Sequence, residues 1–155
     1  MKAKVFSEDP EQKKLQVLLH NIARVNIISG IDALCKPAID YHIMRLYIRR
    51  GDITPNTSLG YEFLNNKISR KASTVAAFRS VVANALNYSS FCTNIPIPQI
   101  NYIDWWIGRS VCLKENPNCT NLGDTSKWLL PLGNAYNHDK NLLKIEEPQH
   151  FGRFY

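Results

Sequence analysis

Only four cysteines occur in 155 residues, at Cys35, Cys92, Cys112 and Cys119. They are too few and too irregularly spaced for the disulfide framework of a small secreted domain, so the chain is expected in a reducing, cytoplasmic setting. Long apolar runs are also missing: the most apolar early stretch, Leu15 to Ile28, is interrupted by Gln16, His20, Asn21, Arg24 and Asn26. Neither a membrane span nor a signal peptide is expected from such a pattern. The triplets at Asn56, Asn87 and Asn118 have the form of glycan acceptors, but they would matter only in a secretory pathway, which nothing else supports. No internal repeat or low-complexity tract is visible. Acidic residues are the scarcer charge, 13 against 19 Lys plus Arg, and the resulting net charge of +6 fits an anionic partner such as nucleic acid.

What is present is helical periodicity in a chain long enough for one domain with its own core. Asp9 before Pro10 reads as an N-cap followed by the first helical residue, and Leu15, Leu18, Leu19, Ile22 and Val25 recur at helical spacing towards Ile28, with Gly30 as the stop. A second helix is expected from Pro37 to Gly51, with Ile39, Ile43, Leu46 and Tyr47 on its apolar side and Asp40 in its first turn. A short helix around Leu59 to Leu64 follows the turn at Thr54-Pro55-Asn56. The longest runs from about Ser73 to Phe91, with Val75, Phe78, Val82, Ala85 and Leu86 facing inward. Another, from about Pro98 to Val111, holds Ile100, Ile103, Trp106 and Ile107. From Glu115 onward, prolines, glycines and asparagines predict loop with little regular structure. The expected class is all-α, a single domain over 1–155 with an irregular tail from about 129.

Asp40 has two physical readings. A carboxylate at a helix start is favoured by the helix dipole and the free N–H groups there, with no further role. A fixed carboxylate can also serve catalysis, by stabilising positive charge that develops in a transition state and by orienting or deprotonating a water. His42 lies two positions on and faces another side of the helix, as a partly buried histidine bonded to a backbone group would. Arg45 and Arg49, spaced i, i+4, suit either a DNA phosphate or acidic residues of the same protein on a solvated or salt-bridged face. Lys67, Arg70, Lys71 and Arg79 form a second basic stretch, which suits either a grip on a phosphate backbone or a plain solvated face.

The stretch Pro37-Ala-Ile-Asp-Tyr-His-Ile-Met-Arg-Leu46, together with Gly108-Arg109-Ser110-Val111-Cys112 and Pro117-Asn118-Cys119, resembles the second half of the helix-hairpin-helix DNA glycosylases, the group of endonuclease III and the adenine glycosylases. In that group an aspartate sits in a V-D-x-H-x-x-R-[LV] stretch at a helix start, and Asp40, His42 and Arg45 match in order and spacing. The resemblance covers roughly residues 30–128 and implies that Asp40 is the catalytic position. It implies DNA contacts for Arg45, Arg49, Lys67, Arg70, Lys71 and Arg109, and a stacking role beside a flipped base for Tyr41. In that family four cysteines spaced C-x6-C-x2-C-x5-C hold an iron-sulfur cluster. Cys112 and Cys119 keep the first spacing, but Leu122 and Trp128 stand at the third and fourth ligand positions. Two thiolates do not satisfy such a cluster, so no cofactor is expected, and the loop is expected to be packed by apolar residues instead. Zinc held by Cys112, Cys119 and His138 fits no common motif.

Two further family features are missing. The phosphate-binding hairpin has only Ser29-Gly30-Ile31-Asp32 in its vicinity, without the second glycine and with an acid. No position matches the Schiff-base lysine of the bifunctional members, and Lys36 lies in the neighbouring loop, so the implied activity is monofunctional base release. The family's first helices are largely absent too, which leaves a face for the N-terminal helix, a protein partner or a second copy to cover. The expected fold is thus a partial helix-hairpin-helix glycosylase-like helical domain with an irregular C-terminal loop region. The expected function is a DNA-binding N-glycosylase. Ile39-Asp40-Tyr41-His42 is also similar to the A-D-Y-R stretch of the queuosine salvage glycosylases, which implies a nucleoside or nucleotide hydrolase. A non-catalytic interaction module that keeps the scaffold is the third reading.

Overall fold

The computed structural model describes residues 12–58 and 71–114. The chain is all-α: the described residues form four α-helices and no strand. These are α1 (Lys13–Arg24), α2 (Tyr41–Arg50), α3 (Ala72–Thr93) and α4 (Ile97–Ser110), with one turn of 3-10 helix at Ile31–Leu34. Asp9, Pro10, the expected short helix near 59–64 and everything from 115 onward, including the tail, lie outside the described residues. None of the described helices is long and apolar enough to cross a membrane.

Helix α2 is the centre of the packing. Ile43, Met44, Leu46, Tyr47 and Ile48 are all fully buried, and α3 and α4 close over it with Val75, Val82, Leu86 and Ile107. Each such aliphatic side chain contributes about 1.5–3 kcal/mol by leaving water, so this cluster is the main source of stability. The ends of the helices follow local chemistry. Asp40 caps α2 by accepting from the Ile43 N–H at 3.0 Å, and Gly51 closes it in the left-handed conformation at φ 79° with its N–H on the Ile48 carbonyl. Asn94, at φ 55°, ends α3, and Pro98 stands in the first turn of α4.

Two expectations need correction. Helix α2 begins at Tyr41, not Pro37, because residues 35–40 run without helix and their backbone groups bond sideways to other elements. Helix α1 ends at Arg24, well short of Ile28, and its buried residues are Gln16 and His20, while Leu18 and Val25 are 49% and 65% exposed. It packs on polar backbone and on α4 instead of entering the apolar cluster.

Candidate functional site

The segment leading to Asp40 is extended but belongs to no sheet, so its buried N–H and C=O groups need other partners. Three helices supply them. From α1, Gln16 Oε1 accepts from the Lys36 N–H at 2.7 Å, and His20 Nε2 bonds the Lys36 carbonyl at 2.8 Å. From α4, Asn101 Oδ1 accepts from the Ala38 N–H at 2.7 Å while its amide nitrogen faces the Ala38 carbonyl at 3.4 Å. From α3, Arg79 Nε donates to the Ile39 carbonyl at 3.2 Å. All four side chains are buried. Arg79 therefore leaves the basic surface stretch expected for it and acts inside the fold.

This threading fixes Asp40. Its Oδ1 is committed to the Ile43 N–H. Its Oδ2 makes no hydrogen bond within the described residues, and the residue lines a cavity of about 350 Å³ between α1 and α4. Such a volume falls at the small end of ordinary ligand sites, about 300–1,000 Å³. Ala38, Pro98 and Val17 form apolar wall, Tyr102 and Trp105 supply aromatic faces, and Lys13, Asn21 and Arg24 bring polar groups. The Tyr102 and Trp105 rings lie 6.3 Å apart at an interplanar angle of 28°. The Arg24 guanidinium stacks on Tyr102 at 3.5 Å from its centroid, and the Arg109 guanidinium lies 5.0 Å from that of Trp105. His20 completes the wall. Burial pushes its imidazole below the ordinary histidine range, against the opposing pull of the Lys36 carbonyl, so the ring is neutral at pH 7.

The other sequence-derived candidates fall in different places. Arg45 and Arg49 are 2% exposed and point into the loop after α4. Arg45 donates to the carbonyls of Cys112 (2.9 Å) and Gly108 (2.7 Å), and Arg49 to those of Leu113 (2.6 Å) and Lys114 (2.9 Å). Helix C-termini carry unsatisfied carbonyls and partial negative charge, and the two guanidinium groups answer both. The DNA contact expected of Arg45 and Arg49 is thus replaced by an internal clamp. Cys112 is fully buried in the core with the Arg49 guanidinium 3.5 Å from its sulfur, so the described part of the loop is held by guanidinium groups as well as by apolar packing. Cys119 lies outside the described residues, among which no cluster of three or more His, Cys, Asp or Glu is placed to hold a metal ion.

Tyr41 is 39% exposed and packs on His42 at a ring-centroid distance of 4.0 Å instead of lining the cavity. One residue past the cap, it is turned about 100° around the helix from Asp40. The aromatic walls are Tyr102 and Trp105. His42 is half-buried, and its Nδ1 faces the Arg45 guanidinium at 3.1 Å. Lys71 is exposed at the start of α3 and Arg109 is exposed in the last turn of α4; Lys67 and Arg70 lie outside the described residues.

A second buried polar group stands apart from the cavity. Tyr47 donates to Asp104 at 2.8 Å and Arg50 bonds the same carboxylate at 3.2 Å while also pairing with Asp52. Burial pushes the Asp104 carboxyl up, against the downward pull of Arg50 and Tyr47. Burial and the Asp104 charge likewise push the Tyr47 phenol up. This network ties α2 to α4 across the core.

No family model, curated protein or solved structure matches the chain.

Proposed function

We propose that the cavity beside Asp40 is an N-glycosidase site and that the chain releases a base from DNA by monofunctional hydrolysis. The observation that carries this reading is Asp40 itself. One carboxylate oxygen is held by the helix cap, the other makes no hydrogen bond among the described residues, and the residue lines a cavity with aromatic walls and a basic rim. In the reaction, water oxygen bonds to the anomeric carbon as the bond to the base nitrogen breaks, and the proton lost by water goes to the departing base. Asp40 Oδ2 orients that water and stabilises the cationic sugar. Tyr102 and Trp105 stack on the base. Lys13, Arg24 and Arg109 offer cations for the flanking phosphates.

The test is binding to labelled duplexes, one intact and one with a stable abasic-site analogue, followed by base release from damaged or mismatched duplexes. Preference for the abasic duplex that weakens with salt is expected. Asp40→Asn should keep this binding, since the amide oxygen still caps α2, and should abolish release; unchanged turnover would remove Asp40 from the mechanism.

The second reading, hydrolysis of a free nucleoside or nucleotide, is favoured by one observation. The cavity is small, and Arg45 and Arg49 are turned inward, which thins the phosphate-binding surface. Release of base from nucleosides with no duplex binding would select it, and neither activity would leave the non-catalytic module.

A further inference from the structure

The polar side chains of the cavity wall differ in what they can still bond. Asn101 spends both ends of its amide on Ala38. Lys13 and Arg24 only donate, and Asn21 is exposed. Asp40 Oδ2 is the acceptor assigned to the water and sugar. His20 differs from all of these: it is 6% exposed, on the face of α1 that lines the cavity. Its Nε2 must donate, because the Lys36 carbonyl only accepts. In the neutral ring Nδ1 is then left with a lone pair, and it has no hydrogen-bond partner among the described residues.

We propose that His20 selects the leaving group, its Nδ1 accepting a hydrogen bond from an N–H on the edge of the heterocycle bound beside Asp40. The inference rests on the N-glycosidase reading of the cavity and narrows it to nucleobases that carry such a donor, an exocyclic amine or a ring N–H. The Lys36 carbonyl locks the tautomer, and burial keeps the ring from protonating and turning Nδ1 into a donor. A base lacking the donor leaves a buried acceptor unsatisfied, which weakens binding by about tenfold.

The experiment uses the full chain and two matched pairs of bases methylated at the glycosidic nitrogen, so that no ring N–H remains there: 9-methyladenine with 9-methylpurine, which lacks the amine, and 1-methyluracil with its N3-methylated form. Affinity is measured by calorimetry, and the ring nitrogens of His20 are followed by NMR. The donor-bearing base of at least one pair should bind about tenfold tighter than its partner and move the Nδ1 resonance in the direction of an accepted hydrogen bond. His20→Phe should abolish the preference. Gln16→Met, which removes the other anchor of Lys36 and leaves Nδ1 untouched, should keep it. Equal affinities within both pairs, no binding of any of the four, or a static Nδ1 resonance at saturation would overturn the proposal, and the NMR result on the unaltered chain needs no variant to fold. The two readings also fail separately. Base release with a silent Nδ1 removes His20 and leaves the N-glycosidase; a responsive Nδ1 without release from any N-glycoside does the reverse.

Discussion

Replacing Gly108 with alanine sets two known effects against each other. Position 108 lies inside α4, where alanine improves helix propensity by about 1 kcal/mol. The added Cβ would stand 2.5 Å from the His42 carbonyl oxygen and 2.9 Å from its carbon, both backbone atoms of α2 that cannot rotate away. Ordinary contact lies near 3.5 Å, so the two helices must separate by about 1 Å. Overpacking of this kind costs about 1–3 kcal/mol. The same separation stretches the 2.7 Å bond from Arg45 to the Gly108 carbonyl, a charged bond whose loss costs a further ~1.5–3 kcal/mol. The net expectation is a loss of about 1.5–5 kcal/mol, a large fraction of the ~5–15 kcal/mol that holds a typical domain together. Urea unfolding followed by circular dichroism measures it as a lower midpoint at unchanged slope. Gly30→Ala is the control, because nothing lies within 4 Å there and only the positive φ of 76° is strained, for a cost of about 1 kcal/mol. A Gly108→Ala protein as stable as the parent would refute the close approach of α2 and α4 and the geometry built on it.

Other outcomes follow from the same contacts. Asp40→Ala removes the cap that Asn would keep, so it should lose about 1 kcal/mol of stability in urea unfolding while Asp40→Asn loses little. Arg45→Met leaves the buried Gly108 and Cys112 carbonyls without a donor and should cost at least 2 kcal/mol by the estimate of about 1–3 kcal/mol per buried group. Arg109→Ala should leave stability within about 0.5 kcal/mol and lower the salt slope of duplex binding by about 1. His20 has its folded pKa lowered below 6.5, so the unfolded chain binds more protons just under that value. The stability it contributes is complete above pH 6.5 and is lost as pH falls through the window beneath. A urea midpoint measured between pH 5 and 7 should show this slope in the parent and a flatter one in His20→Gln.

Much of the fold was legible because apolar spacing reports core contact. Val75, Val82 and Leu86 of α3 were read at helical intervals and are fully buried, and Asp40 and Gly51 bracket α2 through ordinary capping chemistry. The reading failed where polar residues turn inward. Gln16 and His20 interrupt an apolar stretch and look like a solvent face, yet a buried backbone without a sheet needs such partners more than it needs leucine. The i, i+4 spacing of Arg45 and Arg49 showed that they share a face but not that the face meets a helix C-terminus. The cavity joins α1 to α4, whose residues lie far apart in the chain, so only the folded arrangement brings Arg24 onto Tyr102. One signal was available: a glutamine and a histidine at i, i+4 amid leucines mark a helix that serves a polar interior.

The side chains that thread residues 35–40 also set where this protein tolerates change. Within an apolar core, neighbouring methyl groups can repack around a substitution and absorb part of the loss. Lys36, Ala38 and Ile39 are instead each served by named polar atoms of Gln16, His20, Asn101 and Arg79, and no neighbour can stand in for an amide pointed the wrong way. The positions under strictest constraint are therefore ones that a hydropathy profile would mark as free to vary. A lineage that drifts freely at Leu18 or Val25 would still have to preserve these four.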